Sequence, residues 1–257
     1  MFGDKIIHGS EYFLEKAMIS LLFMILSKAS ALELMANFLA IVFTFLIVIP
    51  LHSMTIAGCT ILLGAQSQDT YTKLKFSPFI HQGIMSILAL VLFNFAWPTT
   101  SYMDTQVLRR RKKRVLICPL AGLIVQLAFA ALGAAFLIIA YRKTKVWYDF
   151  NDDGLIYVTG SYNNLNNFLG MICFYVVRIN LLTAIINLIP LMPFEGYYFL
   201  RAFSHSDFRY KVRKIADGVI IATFVIFATT LPQRFLFPYL DIVCDKFILT
   251  VERFLPG

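Results

Sequence analysis

Few residues in this chain are equipped for chemistry, and those few are surrounded by apolar sequence. Glu195 comes directly after an apolar helix, Ile179 to Ile189, that carries Asn180 and Asn187 and is stopped by Pro190 and Pro193. Proline ends a helix because it lacks a backbone N–H and its ring clashes with the preceding turn. A carboxylate kept at a broken helix end, beside sequence apolar enough for membrane depth, is costly and therefore points to a site. His52 sits just past Pro50 in a second apolar helix. An imidazole can serve as a metal ligand. The ordinary reading of a lone histidine on an apolar helix is a packed, hydrogen-bonded residue. Arg178 lies deep within its helix, too far from either end for easy snorkelling. It is either functional or held against other helices, and the sequence shows no partner for it.

The elements that hold these residues are membrane helices. The 257 residues are 59% hydrophobic and 15% charged, with a mean hydropathy of +0.72. A soluble domain of this length cannot hide that much apolar surface, so the composition predicts an all-α polytopic membrane protein. Three spanning helices are predicted. One runs from near Leu34 to Gly64 with a kink at Pro50, one covers residues 115–141, and one runs from about Asn167 to Ile189. Residues 84–98 are short for a crossing and suit a re-entrant hairpin. Gly218 to Leu231 predicts one further C-terminal membrane helix. Both termini read as amphipathic. Residues 11–27 suit an interfacial helix, with a spanning one as the alternative. The tail from Leu240 puts Val243, Cys244, Phe247 and Val251 on one stripe, with Asp241, Asp245 and Glu252 off it, as in a surface helix. The chain is thus one membrane domain, with an N-terminal segment 1–30, a core 32–200 and a C-terminal part 201–257.

Charge sets the expected topology. The net charge is +8, and six consecutive cations, Arg109 to Arg114, fall in one loop. Arg201, Arg209, Lys211, Arg213 and Lys214 form a second cluster. In a membrane protein these are the signature of cytoplasmic loops, and no nucleic-acid partner is expected. The polar loop 142–166 is then external. Its Asp149, Asn151 and Asp153 match the start of a calcium loop, but Gly160 stands where the bidentate acid belongs, so a solvated turn is the better reading. The four cysteines form no C-x-x-C pair and read as buried free thiols. The first residues lack the pattern of a removable signal peptide.

Taken in order, the motifs resemble those of the site-2 protease family of intramembrane zinc metalloproteases, in its bacterial branch. Asn187, Pro190, Pro193, Glu195 and Gly196 are similar to the family's N-x-x-P-x-P-P-x-D-G motif. Glu195 stands at the Asp, Met192 at the middle Pro and Tyr197 at the second Gly. His52, Ser53, Met54, Thr55 and Ile56 occupy the five positions of H-E-x-x-H, where two histidines bind zinc and the Glu is the general base. Phe76, Ser77, Pro78, Phe79 and His81 look like a loop of the bacterial branch. Phe93, Phe95, Ala96, Trp97 and Pro98 look like its F-G-W-A-K-P stretch. Leu120, Ala121 and Gly122 are similar to the L-A-G-P of its central helix, and Asn180 matches an Asn upstream of the last motif. The resemblance covers about 36–200.

The resemblance implies the bacterial cytoplasmic membrane and a zinc position between His52 and Glu195. It also implies loss, because Ser53 replaces the base and Ile56 the second ligand. His81 can substitute only if its loop folds back into the core. For His52 and Glu195 to meet, residues 84–98 must form a hairpin, since a full crossing would put the two on opposite sides. The expectation is a degenerate member that holds no zinc unless the site survives. It would bind a membrane-protein partner or a transmembrane client. The alternatives are an active protease with a rearranged metal site and a membrane carrier using Arg178 and Glu195.

Overall fold

The computed structural model describes residues 31–98, 116–144, 147–150, 156–159, 164–199, 215–229 and 231–255. Residues 1–30 and both basic loops lie outside this set, and so do the expectations placed on them. Three stretches are long and apolar enough to cross a membrane: Ala31–Leu62, Ile117–Ala140 and Leu165–Asn187. The first consists of α1 (Ala31–Phe43), a π-helical turn (Thr44–Val48) and α2 (Ile49–Leu62). The kink expected at Pro50 takes the form of that wide turn. Pro50 has no N–H to give and its ring crowds the carbonyl of Leu46, so the helix widens just before it. The turn also sets where His52 points. Eight positions along a regular helix would rotate His52 by about 80° from Thr44, whereas absorbing one extra residue brings the two within about 20°. Thr44 and His52 are indeed both buried.

After α2 the chain folds back through two short helices, α3 (Gln68–Thr72) and α4 (Pro78–His81), which pack against α2. Helix α5 (Ile84–Phe93) ends at Asn94, which adopts the left-handed conformation with φ 59. The chain then returns along α5. Ser86 Oγ donates to Trp97 O at 2.6 Å and accepts from the Trp97 N–H at 3.0 Å. This is the expected hairpin. Non-helical backbone at membrane depth must find partners. It finds them on the third long helix: the Ala96 N–H meets Thr183 Oγ1 at 3.4 Å and Asn187 Nδ2 donates to Ala96 O at 3.3 Å.

Helix α6 (Ile117–Thr144) leads to β1 (Trp147–Phe150) and β2 (Ile156–Thr159), an antiparallel ribbon with Trp147 opposite Thr159 and Phe150 opposite Ile156. The expected solvated loop is therefore partly a ribbon, because both segments are rich in aromatic and β-branched residues. Helix α7 (Asn164–Asn187) is the central element. Within the bundle 78% of its most apolar 18 residues are buried, against 44% and 33% for the other two, which expose Phe38 and Leu46 on α1 and its π turn and Ile124 and Phe136 on α6.

Helix α8 (Ala216–Phe227) has 12 residues. That is about 18 Å, short of a hydrocarbon core of about 30 Å. It packs Phe224 and Phe227 onto Phe93 of the hairpin. A turn of helix, α9 (Leu231–Phe235), leads into α10 (Phe237–Phe254). Helix α10 is not a detached surface element. It buries Leu240, Cys244 and Ile248 against α6 and α7. Asp241, which the sequence pattern assigned to the polar side, sits at the edge of that stripe and pairs with Arg178 at 3.1 Å.

Close contacts fix the helix directions. His52 meets Gly122 near the start of α6 and Glu195 just past the end of α7, while Gly133, midway along α6, lies against Cys173 and Val177. So α1–α2 and α7 run parallel and α6 runs against them. His52, Gly122 and Glu195 share one end of the bundle, and the ribbon caps the other. In sequence the cation run immediately precedes α6, whose first turns lie at the site's end. A single cysteine at Asp152, in a cysteine-free background, should label with an impermeant maleimide from outside the cell. Labelling from the cytoplasmic side would reverse the topology.

Candidate functional site

The site is built from three elements. Helix α2 supplies His52, 1% exposed, and the loop after α7 supplies Glu195, 4% exposed. The first turns of α6 supply the carbonyl of Gly122. His52 donates Nδ1–H to Gly122 O at 2.8 Å, and its Nε2 lies 2.5 Å from Glu195 Oε1. A carbonyl only accepts, so Nδ1 carries a proton. The Nε2–Oε1 contact then holds one shared proton, either as imidazolium on carboxylate or as carboxylic acid on neutral imidazole. The longer Glu side chain, which need not have reached the family's metal position, in fact reaches the histidine itself.

Two glycines permit this geometry. A Cβ on Gly122 would sit 2.7 Å from Ile56 Cδ1 and 2.8 Å from His52 Cε1. Glycine there lets α6 approach α2 closely enough for its carbonyl to meet the imidazole. A Cβ on Gly196 would collide with the carbonyls of Leu188 and Ile189, and the Gly196 N–H donates to Asn187 O at 2.7 Å. The loop that presents Glu195 thus closes back on the end of α7. Gly196→Ala should open this loop, because backbone carbonyls cannot give way as a side chain does. A loss of about 3 kcal/mol or more is expected in thermal unfolding in detergent. Gly218→Ala is the control, since nothing lies within 4 Å of that added Cβ.

The other positions divide clearly. Ser53 and Ile56 stay beside His52, at 0% and 1% exposure, and Ser53 Oγ has no hydrogen-bond partner among the described residues. The loop carrying His81 does fold back, and His81 is fully buried. It donates Nε2–H to Lys75 O at 2.9 Å, which leaves Nδ1 as a bare, unpartnered acceptor. Burial is the main cause that pushes the His81 pKa below its ordinary value, and nearby Lys73 and His52 act in the same direction. His81 is therefore neutral at neutral pH. Asn180 donates to Val176 O of its own helix at 2.8 Å and does not reach the pair. Arg178 is engaged with Asp241, away from Glu195. Asn187 joins the hairpin to the Glu195 loop, through its side chain to Ala96 and its carbonyl to Gly196. In the sequence Gly122 stands out only as part of a motif match, and nothing marks Thr183 or Ser86. A small residue facing His52 across two helices was the one available signal.

Among the described residues, no group of three or more His, Cys, Asp and Glu side chains is placed to hold a metal ion. Two ligands on a tetrahedral zinc, at bond lengths of about 2.0–2.1 Å, stand roughly 3.3 Å apart. At 2.5 Å, His52 and Glu195 close on each other instead. The described residues, as they stand, supply no three-ligand set for a hydrolytic zinc.

No protein-family model matches the chain, and no solved structure matches it. The chain is similar to "Putative zinc metalloprotease YwhC" of Bacillus subtilis (strain 168). The two are 19% identical over 208 residues, which is 81% of this chain and 89% of YwhC. At that distance the comparison supports a site-2 protease-like relationship and, with the three membrane-length helices, a metalloprotease-like integral membrane protein. The zinc in that name belongs to YwhC.

Proposed function

We propose that this chain is a catalytically degenerate, site-2 protease-like protein of the bacterial cytoplasmic membrane, and that it binds transmembrane segments of membrane partners. The observation that carries this reading is the direct contact of His52 with Glu195, with Ile56 and Ser53 beside it. Hydrolysis by zinc needs three protein ligands, an open position for water and a base. Here two donors satisfy each other, and the places of the third ligand and the base hold a hydrocarbon and a lone hydroxyl. What persists is a shallow dent of about 10 Å³ beside Glu195, between the start of α6 and the end of α7, walled by Leu120, Leu123, Ala184 and Leu188. Leu120 and Leu188 are exposed at its rim. An apolar helix suits such walls. In this reading the basic loops set topology and bind no nucleic acid.

Metal analysis tests the reading. Protein purified from its membrane should carry far less than one zinc per chain and cleave no peptide bond. One observation favours an active protease with a rearranged site: the buried, unpartnered Nδ1 of His81. Stoichiometric zinc in the parent, lost in both His52→Ala and His81→Ala, would establish that alternative.

A further inference from the structure

We infer that the outer face of α10 docks onto the same face of a second copy of this chain, through Ile242, Asp245, Lys246 and Leu249. The depth of that face carries the argument. Arg178 lies close to the middle of Leu165–Asn187, and Asp241 meets it directly. Asp241 is therefore deep in the bilayer, whose hydrocarbon core extends about 15 Å to either side of its middle. Asp245 and Lys246 follow one turn later on α10, a rise of about 6–8 Å. They stay inside the hydrocarbon layer whichever way α10 runs. Both are exposed on the surface of the single chain. Charged side chains facing lipid at that depth are costly, and such residues are normally paired with one another. The stem of Lys246 is long enough to snorkel, but that of Asp245 is not.

The pattern of the face says what covers it. Leu240, Cys244 and Ile248 turn toward α6 and α7. Ile242 and Leu249, 50% and 48% exposed, lie on the opposite side of the helix, one above the other. Asp245 and Lys246 sit between them in height and on opposite flanks, each about 50° from that line. Two copies inserted with the same orientation are related by a two-fold axis along the membrane normal, and the same patch serves on both. With α10 packed along α6 and α7, such an axis keeps each residue's depth and sets each flank of one helix against the other flank of its partner. Ile242 and Leu249 then pack on their own counterparts. Asp245 of each copy faces Lys246 of the other at nearly the same depth. Two opposite-charge pairs form, with apolar contacts above and below them. A purely apolar helix seated on this face would leave both charges against hydrocarbon. Arg253, the other exposed cation of α10, is about 18 Å along the helix from Asp241, at headgroup level, where water and salt screen it from its counterpart.

The test uses the full-length protein in phosphatidylcholine vesicles, with donor- and acceptor-labelled copies followed by energy transfer as added lipid dilutes them. The parent should transfer energy at dilutions where randomly placed copies do not. Asp245→Lys alone and Lys246→Asp alone should each weaken association about tenfold or more, because like charges then meet. Mixing the two single variants should restore transfer between them. The double exchange, Asp245→Lys with Lys246→Asp, should restore it within one protein. Ile242→Cys keeps both charges and serves where a reversal fails to fold. Mild oxidation should link it into disulfide dimers, whereas Phe38→Cys, exposed on α1, should stay monomeric. Transfer at the random level in the parent would overturn the inference. So would single reversals that associate as well as the parent, or a mixture that gains nothing. Equal cross-linking at the two cysteine positions would assign the dimers to collision and overturn it as well.

Discussion

The variant carrying Ser53→Glu, Ile56→His and Glu195→Asp together is expected to purify with close to one zinc per chain. The parent, prepared in parallel, should carry little. The physical basis is already in place around His52. Ile56 lies one helical turn beyond it, so an imidazole at that position projects from the same face. Its Nδ1 is anchored by the Gly122 carbonyl, which is the outer-shell arrangement that fixes the orientation of a ligating histidine. Glu195→Asp withdraws the carboxylate by one methylene and relieves the 2.5 Å contact that now closes the pair. With His52, the three changes place two His and an Asp at one end of the bundle, with a Glu beside them. Structural zinc sites bind with apparent energies on the order of 10 kcal/mol, so a completed set should survive purification. Ile56 faces Gly122 across the helix contact, so the new imidazole must fit against α6 there. A triple variant that folds but holds no more zinc than the parent would mean that the helices no longer converge as they do around His52. A parent with one zinc per chain, lost in His52→Ala, would overturn the degenerate reading outright.

Much of this site was legible from residue types. The apolar stretch 84–98 is short for a crossing and suits a hairpin, and the family resemblance favours the arrangement that brings His52 and Glu195 to one side. Pro50 announced an irregularity, though not that it would be a π turn which rotates His52 into line with Thr44. Other features were hidden because they depend on packing between distant segments. Gly122 reads as a small residue that allows close helix contact. That its carbonyl orients the histidine follows only from how near α6 comes to α2. His81 lies in a polar loop, and its burial depends on α4 folding onto α2. The ribbon at 147–159 was obscured by its Asp and Asn residues, which suggested solvent. Asp241 was misplaced for a related reason. A helical stripe assigns faces by periodicity, and a residue at the stripe's edge can serve either face until its neighbour is known.

That neighbour is Arg178, and the pair should respond unequally to substitution. Arg178 is 3% exposed on α7, whereas a third of the Asp241 side chain is exposed on α10, at 33%. Removing one member of a buried pair takes away one counterion of the other, and the cost depends on how buried the survivor is. Asp241→Leu leaves the guanidinium inside the bundle, and should destabilise by about 3 kcal/mol. Arg178→Leu leaves a carboxylate that water can partly reach and adds an apolar group to a buried position. Its cost should be smaller, about 1 kcal/mol. The double variant replaces the pair with two hydrocarbons of comparable size and should fall within about 1 kcal/mol of the parent, so the two effects are strongly non-additive. Glu33 and Arg178 both lie near Tyr175, so a second carboxylate tempers the loss in Asp241→Leu without replacing the direct contact. Thermal unfolding in one detergent measures all four proteins. Because α10 is otherwise held by the apolar stripe Leu240, Cys244 and Ile248, Asp241→Leu should also expose the tail to protease earlier than the parent. Equal losses in the two single variants that sum in the double would show that the contact contributes no coupling, and that α10 is fastened by its apolar face alone.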